Sequence, residues 1–480
     1  MCDFYVTSGL YTFKTQTMKF WLITLLISGS IVSVAQQAVP VFKTNGDSLE
    51  FAKIQSSIQD IFKRERTAQS ARQLDSLFKL QMAFRDKIIG YKTIFTTDNA
   101  FTKYDDLASS KVSPESVTKL SLNDVNRIPK NVITCTNLQE LELVNTSIKK
   151  LPKKLNKLKH LKSIYVYNNE TRGALKLAKN TITKELLLRG MVEKSLPKSY
   201  RKFSALEELD LSRNIGLTRF PDIYKNKSLK KLNLIENTVT LTDLKSIPNT
   251  SLTELNLQKN KIQKVPEAIG SFSSLKKLTF NYNQITEVSN AVGSLKNLEE
   301  LSFYHNKLTA IPAGIYELPS LKAVDLYYNE IERLDPAIEK LQSLEILYLS
   351  NNKLVAVDDH IGKLNNLREL YLSNNRLFML PESLSALKKL TILRINENKL
   401  TDFPEFVFNL PVIENIDVSA NSIRIIPEKV TSISTLNLFA VSDNPVNKED
   451  VNMAKIIDDL RARGTIVHQN IIEQKVVDNP

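Results

Sequence analysis

The sequence predicts an α/β solenoid, a curved array in which one short unit is repeated and successive units lay down a parallel β-sheet on the concave side. The first observation is a leucine or a substitute that recurs every 23 residues, at nine successive positions from 252 to 436. The second is the pattern L-x-x-L-x-L-x-x-N-x-L, or a close variant, that begins at each of these positions. The third is composition: with only 12 glycines among 480 residues and ordinary apolar and charged fractions, the chain is neither collagen-like nor wholly disordered.

The strand of each unit is predicted by the alternation of its leucines. In a β-strand, residues two apart face the same side and the residue between them faces the other. In the unit LRELYLSNNRLFMLP, residues 367–381, Leu370 and Leu372 are therefore expected to face the core and Tyr371 to face outward. Since one unit buries too little apolar surface to stand alone, stacking must join the leucines into a continuous core and the strands into one parallel sheet.

An asparagine follows each predicted strand, where the chain turns away from the sheet. Its amide can donate to and accept from backbone groups that have lost their ladder partners. Most units then continue with an apolar residue and often proline, as in Leu380-Pro381, which suits an extended or helix-starting segment on the outer side. The predicted asparagine ladder comprises Asn260, Asn283, Asn306, Asn329, Asn352, Asn375, Asn398, Asn421 and Asn444.

The repeat closely resembles that of the leucine-rich repeat family, in its leucine, asparagine and proline positions and in its 23-residue length. The same frame extends backwards, at first regularly and then with poorer matches, to give about fifteen units. It passes through Leu229, Leu206, Thr183, Leu161, Leu138 and Val117. The resemblance implies a horseshoe whose variable strand positions line the hollow, structural asparagines at the turns, and a binding role without catalysis.

The repeats are predicted to span residues 111–446, with a different region on each side. Residues 36–110 are expected to form a helical region, either two helices that cap the array or a loosely attached stalk. The apolar residues at helical spacing there are Ile54, Ile58, Ile61, Leu80, Phe84 and Ile88. Residues 447–480 are expected to form a carboxyl-terminal cap, with a helix within 447–463, a last strand at 465–467 and a loose tail.

The first 35 residues are interpreted as an export signal preceded by an overlong gene start. Lys19 provides a short positive region, residues 20–34 an uncharged and mostly apolar run, and Ser33 and Ala35 suit a cleavage site. The mature chain would begin at Gln36 and be secreted, periplasmic or displayed on the cell surface. An uncleaved membrane anchor is the alternative, although about 15 apolar residues are fewer than the ~20 that span a bilayer.

Positive charge is concentrated in the first half of the chain. Residues 36–250 contain 38 basic against 22 acidic residues, a balance of +16, whereas residues 251–480 contain 25 against 29, a balance of −4. The stretch 149–202 holds only three acids. It is a candidate surface for an anionic glycan or lipid, or simply a solvated outer face. The candidate patch comprises Lys149, Lys150, Lys153, Lys154, Lys157 and Lys159.

The sequence offers no constellation for catalysis, and we expect neither an enzyme nor a cofactor or metal site. After signal cleavage Cys135 is the one remaining cysteine, so neither a disulfide nor a zinc knuckle can form within the chain. The four histidines lie in distant repeats, and no Walker loop, G-x-S-x-G elbow or H-E-x-x-H occurs. Asp358, Asp359 and His360 are adjacent, but they lie between units, where a solvated turn is favoured over a cation site.

A stripe of aromatic residues occupies outward strand positions on neighbouring repeats. Strands about 4.8 Å apart let such side chains touch as a ladder, and tyrosine and arginine are enriched at binding hot spots. Cross-strand aromatic pairs also stabilise sheets by ~0.2 to 1 kcal/mol without any ligand, so a structural role is the alternative. The candidate partner site comprises Tyr282, Tyr304, His305, Tyr327, Tyr328, Tyr348, Tyr371 and Arg394. Tyr165 and Tyr167 form a smaller outward pair in the basic half.

Three functions remain open at this stage. The leading hypothesis is an exported, non-catalytic scaffold, similar to bacterial leucine-rich repeat proteins, whose hollow binds a protein, a peptide or a glycan. The second is an envelope-associated adhesin held on anionic polymer by its lysines, and the third is an intracellular adaptor, if the export signal is unused. Nucleic acid fits the charge but not the predicted compartment, and membrane association is expected only through an uncleaved signal or envelope contact.

Overall fold

The computed structural model describes residues 34–42, 53, 88–97, 101–172, 175–196, 198–246, 251–446 and 451–469. They fall into two compact units, of which the first ends at Lys103 and the second begins at Tyr104. Within the described residues, no helix combines the length and the hydropathy that crossing a bilayer requires.

The first unit contains strands where the sequence predicts helices. Strand β1 (Val34–Phe42) pairs antiparallel with β2 (Ile88–Thr97), and a two-residue strand β3 (Thr102–Lys103) follows. The prediction that Ile88 lies on a helix is therefore wrong. Eight of the ten residues of β2 are β-branched or aromatic, a composition that favours a strand over the 3.6-residue spacing that Ile88 shares with Phe84. The other residues of the predicted helices, 54 to 84, lie outside the described ranges.

The second unit is built from short strands at regular intervals. It begins with helix α1 (Tyr104–Ala108) and ends with helix α2 (Val451–Ala462) and a last strand. The strands are β4 (Lys119–Asn123), β5 (Glu140–Val144), β6 (Lys150–Leu151), β7 (Ser163–Arg172), β8 (Lys176–Leu177), β9 (Glu185–Met191), β10 (Glu208–Asp210), β11 (Lys231–Asn233), β12 (Glu254–Asn256), β13 (Lys264–Val265), β14 (Lys277–Thr279), β15 (Glu287–Val288), β16 (Glu300–Ser302), β17 (Ala323–Asp325), β18 (Ile346–Tyr348), β19 (Glu369–Tyr371), β20 (Ile392–Arg394), β21 (Asn415–Asp417), β22 (Leu438–Ala440) and β23 (Ile466–His468). The helix and last strand predicted after the repeats are both present.

One long parallel sheet is formed by strands that pair in chain order. From β10 to β22, Cα partners on neighbouring strands are 23 residues apart, as in Leu347, Leu370 and Leu393. The frame predicted for the irregular first repeats is confirmed, because β4, β5, β7 and β9 pair in parallel through Leu120, Leu141, Ile164 and Leu186. We call each strand of this sheet, together with the loop that leads to the next strand, a rung.

Outer turns return the chain from one strand to the next. Most are 3-10 helical turns of five residues that begin directly after a proline or an Asp or Ser cap, as the proline positions predict. Two small parallel sheets, β6 with β8 and β13 with β15, supplement them. The outer turns are Pro114–Ser116, Lys130–Thr134, Lys153–Lys157, Lys198–Lys202, Glu267–Ser271, Asn290–Ser294, Ala313–Glu317, Pro336–Lys340, Asp359–Lys363, Glu382–Ala386, Glu405–Asn409 and Glu428–Ser432.

The core is the stacked columns of aliphatic residues between the sheet and the outer turns. Leu370 and Leu372 are fully buried, whereas Tyr371 between them is half-buried on the other face, as predicted. Ile456 and Leu460 of α2 are buried against the end of the array, where an open column would otherwise meet water. The fold is therefore the predicted solenoid, with its apolar columns continuous from rung to rung.

The asparagine ladder satisfies backbone groups at the end of every rung. Asn375 shows the arrangement: its Nδ2 donates to the carbonyls of Leu349 (3.0 Å) and Leu372 (2.9 Å), and its Oδ1 accepts from the backbone N–H of Leu354 (3.0 Å). The other eight members make the same three bonds on their own rungs. Each asparagine thereby joins two rungs and closes the turn that follows the strand.

Candidate functional site

The eight predicted partner-site residues lie together on the concave face, and none enters the core. We call Tyr282, Tyr304, His305, Tyr327, Tyr328, Tyr348, Tyr371 and Arg394 the aromatic band. His305, Tyr328 and Arg394 are exposed, and the other five are half-buried against one another. The geometric prediction that these side chains stay out of the core therefore holds. Strand alternation directs Tyr348, Tyr371 and Arg394 away from the aliphatic columns, and the other five residues lie in the turn between a strand and its asparagine.

The aromatic band runs diagonally across the sheet. Three columns of equivalent positions carry it, each further towards the strand starts than the one before. The column directly before the asparagines contributes Tyr282, His305 and Tyr328, the preceding column contributes Tyr304 and Tyr327, and the column between the core leucines contributes Tyr348, Tyr371 and Arg394. The band thus crosses six rungs obliquely.

The first five rings of the band form one contact cluster. Tyr304 stacks on Tyr327 with centroids 5.5 Å apart and planes 9° apart. Tyr282 stacks on His305 at 5.0 Å, and Tyr328 meets Tyr327 edge to face at 4.7 Å. Because the stacked rings belong to neighbouring rungs, much of each ring face is covered by the next ring.

The last part of the band is a second stack that ends in a cation. Tyr348 and Tyr371 stack with centroids 4.6 Å apart, and the guanidinium carbon of Arg394 lies 5.8 Å from the Tyr371 centroid. The Tyr371 hydroxyl donates to Glu369 at 2.7 Å. Arg394 therefore closes this end of the band with a charged donor group.

Three band residues sit on strained backbone. Tyr282, His305 and Tyr328 have φ of 55°, 57° and 55°, in the left-handed region. That region costs roughly 1–2 kcal/mol for most side chains, and asparagine visits it most readily. The same place is left-handed in the other rungs, where it holds residues as different as Lys259 (φ 54°), Asn351 (56°) and Glu397 (56°). The backbone conformation is therefore a property of the repeat, and the rings of the band are carried on it.

Polar groups lie beside the rings, and one of them, Asp325, was not singled out in the sequence. Asp325 accepts from the Ser302 hydroxyl at 2.9 Å and from the backbone N–H of Tyr327 at 3.0 Å. Burial raises the pKa of the Asp325 carboxyl. On the later rungs, Asn374 donates to Asn351 at 2.6 Å. The signal for Asp325 was present in the sequence, since it occupies the same column as Tyr348.

Four phenols of the band are held in their neutral form. Burial raises the pKa of Tyr327 to about 12, and it also raises the pKa of Tyr304, Tyr348 and Tyr371 above the usual value. At physiological pH these hydroxyls are therefore hydrogen-bond donors. The band offers a partner phenol and guanidinium donors among aromatic edges.

Charges on the neighbouring columns neutralise one another. Glu299 accepts from Lys276 at 3.1 Å and from Lys322 at 2.7 Å, one rung away on either side, and these bonds lower the pKa of its carboxyl. Lys277 pairs with Glu300 at 2.5 Å in the next column. The strand-start side of the concave face therefore presents matched pairs rather than one sign of charge.

The candidate lysine patch lies on the outside of the solenoid. All six of its lysines are exposed, and none pairs with an acidic side chain within the described part of the chain. The interpretation of Tyr165 and Tyr167 as surface residues is wrong, since they are 4% and 1% exposed. Tyr165 donates to Glu185 at 3.4 Å, and the Arg189 guanidinium lies 5.7 Å from the Tyr167 ring centroid, so long side chains of the next rung cover these rings.

Asp358, Asp359 and His360 lie in a turn. Asp358 caps the outer turn by accepting from the backbone N–H of His360 at 2.9 Å, and it also accepts from the His360 ring Nδ1 at 2.5 Å. These bonds lower the pKa of Asp358 and raise the pKa of His360. Across the described ranges, no group of three or more His, Cys, Asp or Glu residues is arranged to hold a metal ion.

A parallel sheet that grows by 23-residue rungs, with an asparagine ladder and an open concave face, defines a solenoid scaffold. The family model described as leucine rich repeat matches residues 250–308, 273–331, 296–354 and 319–377. The repeats of this chain are leucine-rich repeats, and its second unit is a leucine-rich repeat solenoid. The resemblance noted in the sequence is thereby confirmed.

Solved structures with the same fold come from bacteria and from an animal. A leucine-rich repeat protein of Leptospira interrogans is 26% identical, with a TM-score of 0.61, over 76% of this chain and 99% of its own. An internalin of Listeria monocytogenes is 22% identical, with a TM-score of 0.50, over 65% and 93%. The Toll–Spätzle complex of Drosophila gives 21% identity and a TM-score of 0.59, over 70% and 48%. No curated protein matches the chain significantly.

Proposed function

We propose that this chain is an exported, non-catalytic scaffold whose aromatic band binds a polypeptide partner. The observation that carries the proposal is the band itself, eight contiguous side chains that cross the concave face and end in the exposed Arg394. Tyrosine and arginine recur at binding hot spots because they combine a large contact area with a polar tip.

The composition of one column favours binding over a purely structural role for the band. The column directly before the asparagines has left-handed backbone in the other rungs as well, where it carries residues such as Lys259, Glu397 and Ala420. This backbone is therefore a property of the repeat and requires no aromatic residue. Rings nevertheless occupy the column on three successive rungs, and a cross-strand aromatic pair stabilises a sheet by only ~0.2 to 1 kcal/mol. The concentration of rings on these rungs supports a binding role.

Ring orientation favours a polypeptide over a glycan. A sugar ring that packs on an aromatic residue needs an open ring face, but Tyr304 and Tyr327 cover one another, as do Tyr348 and Tyr371. Stacking covers one face of each of these four rings, whereas the electropositive ring edges and the neutral hydroxyls suit acceptors. Backbone carbonyls of an extended peptide or loop supply acceptors at regular intervals.

Two further points support the proposal. The Toll solenoid, which shares this fold, is solved with the protein Spätzle, so the fold has room for a protein partner. The sequence around residues 19–35 has the charge and hydropathy of an export signal. Amino-terminal sequencing of the protein recovered from its native host tests export directly. A mature chain that begins at Gln36 supports this part of the proposal, and an intact Met1 contradicts it.

The binding site is tested by selecting ligands and then removing the rings. Peptides from a phage-displayed random library are enriched on the immobilised mature chain, and their affinities are measured by fluorescence anisotropy. Tyr327→Ala combined with Tyr348→Ala removes one ring from each stack. We expect the affinity for the enriched peptides to fall by at least about tenfold, because hot-spot rings contribute more than 1 kcal/mol each.

Tyr224→Ala is the matched control. Tyr224 is a half-buried tyrosine of similar exposure that packs under Arg201 on the outer side, with the guanidinium 5.1 Å from its ring centroid. Its removal should leave peptide binding unchanged. Equal loss in both variants, or binding of glycans rather than peptides in a parallel glycan array, would contradict the proposal.

A further inference from the structure

Many lysines of the solenoid have an acidic partner, whereas those of the lysine patch have none among the described residues. From rung to rung, ten lysines between Lys184 and Lys353 meet a glutamate, as in the pairs Lys264–Glu287 at 2.8 Å and Lys340–Glu317 at 2.8 Å. The six residues of the lysine patch are exposed and meet no acid among the described residues. Some lysines of later rungs, such as Lys261 and Lys389, also have no acidic partner among the described residues, but here six such lysines lie close together, within residues 149–159.

In the lysine patch, like charges are also placed directly opposite one another. Strands β6 and β8 pair in parallel with Lys150 and Lys176 as Cα partners, and both side chains are exposed. Strand separation is about 4.8 Å, and like charges opposite each other destabilise a sheet. The equivalent outer pair on β13 and β15 is Lys264 with Glu287, which shows that the fold accommodates opposite charges at such a pair.

The unmatched charge extends along the outer side of neighbouring rungs. The outer turn Lys153–Lys157 presents three exposed lysines, and the next described outer turn, Lys198–Lys202, begins and ends with exposed lysines. Lys179 is exposed between them, and its carbonyl accepts from Asn156 at 2.7 Å, which fixes the spacing of these two rungs. The result is a row of cations that crosses the rungs.

The surface between these lysines lacks what a nucleic acid or a bilayer would use. Leu151, Leu155 and Leu158 are buried, so no large apolar side chain stands among the six lysines to enter a membrane. Tyr165 and Tyr167 are also buried, which leaves no ring face of theirs for a base to stack on. Recognition here depends on charge spacing alone.

We propose that the lysine patch, continued by Lys176, Lys179, Lys198 and Lys202, binds a linear acidic polysaccharide whose sulfate or carboxylate groups follow the row of cations. Arrayed anionic groups would remove the repulsion between Lys150 and Lys176 and provide the partners that the solenoid itself supplies elsewhere. This site is on the outer side and is independent of the aromatic band.

The test uses the full mature chain and fluorescent heparin as the probe. Replacing Lys150, Lys153, Lys154 and Lys157 by glutamine should weaken heparin binding by about tenfold or more at low salt, and should flatten its decline as salt rises from about 50 to about 200 mM. The matched control replaces four exposed lysines of later rungs, Lys261, Lys307, Lys363 and Lys389, and changes the net charge equally. It should retain heparin binding.

A single variant separates a binding role from a structural one. Lys150→Glu faces Lys176 with an opposite charge, so it should raise the thermal midpoint while it weakens heparin binding. Equal weakening in the patch and control variants would overturn the proposal, because general charge would then suffice. Tighter binding of a DNA duplex, or of vesicles containing phosphatidylglycerol, than of heparin and of polygalacturonate would overturn the assignment to a polysaccharide.

Discussion

At the scale of single residues, the asparagine ladder explains why the same residue returns after every 23. A turn at the end of a buried strand leaves carbonyls and an N–H without sheet partners, and one carboxamide supplies two donors and an acceptor to them. The geometry is the same at all nine positions, and eight of the nine side chains are buried, so each bond is made away from water. Leucine columns provide the burial, and the asparagines provide the turn.

We expect Asn375→Ala to lower the free energy of unfolding by about 2 kcal/mol, because it leaves the Leu354 N–H unsatisfied in the interior. The carbonyls of Leu349 and Leu372 each lose one carboxamide donor and keep another, from Asn352 and Asn398. Urea denaturation of the full chain, followed by far-ultraviolet circular dichroism, measures the change. Asn365→Ala is the control, since Asn365 is exposed, and it should change stability by less than about 0.5 kcal/mol. Similar losses for both variants would show that the ladder bonds contribute little.

Four phenols of the aromatic band, those of Tyr304, Tyr327, Tyr348 and Tyr371, predict a loss of stability in strong alkali. Their folded pKa values lie above the usual value of about 10, and that of Tyr327 is raised to about 12. The folded state therefore retains protons that the unfolded state releases, so this stability is complete below pH ~10 and is lost as pH rises towards 12. Absorbance at the phenolate band should show these tyrosines ionising only above pH ~11. Titration of all tyrosines near pH 10 would contradict the burial of the band.

The column that each band residue occupies, and with it the diagonal course of the band, could be predicted from the offset of that residue to the leucines. The contacts between the rings could not, because they depend on side-chain rotamers. The left-handed backbone of Tyr282, His305 and Tyr328 could not be predicted either, because residues as different as Lys259 and Ala420 occupy the same position in other rungs and share no sequence signal.

At the scale of elements, the outer turns determine how closely the rungs approach on the convex side. Gly293 lies buried in the outer turn Asn290–Ser294, and a Cβ added to it would be 2.8 Å from the carbonyl oxygen of Gly314 on the next rung. A Cβ on Gly314 would in turn be 2.6 Å from the carbonyl oxygen of Asn290. These turns therefore pack backbone against backbone.

Gly293→Ala should accordingly destabilise the protein, although alanine in place of glycine usually stabilises by about 0.4–1 kcal/mol where space permits. Overpacking against a backbone carbonyl costs typically about 1–3 kcal/mol. The urea midpoint of the full chain measures the effect. Ser385→Ala, at the equivalent place four rungs later, is the control and should be close to neutral. A rise in the midpoint for Gly293→Ala would mean that the outer turns have room to separate.

Elements were predictable where they repeat and unpredictable where they do not. Val117, Leu138 and Leu161 predicted the register of the first strands, although the repeats they begin match the consensus poorly. They could do so because the first position of each of these repeats is buried and apolar. Ile88 was misassigned because a helical spacing of three apolar residues also fits a stretch dominated by β-branched residues. The repeat pattern, which decides between helix and strand in the later part of the chain, does not extend to this segment.

At the scale of the whole molecule, the solenoid separates two kinds of surface. The concave face carries matched charges and the aromatic band, and the outer face of the first rungs carries unmatched lysines. The net charge of +13 therefore does not describe either surface well, and the sequence-based contrast of +16 and −4 between the two halves is the more useful quantity. Nearest-neighbour stacking allows both surfaces to vary without changing the fold.

The most direct test of the central claim is a nuclear magnetic resonance titration of the tyrosine rings. The full mature chain is produced with carbon-13 labelled tyrosine, its ring signals are assigned with single Tyr→Phe variants, and a selected peptide is added. If the aromatic band binds the peptide, the signals of Tyr304, Tyr327, Tyr348 and Tyr371 should shift together at saturation. The signals of Tyr224 and Tyr316 on the outer side should stay fixed. Shifts confined to the outer side, with the band unchanged, would contradict binding at the aromatic band.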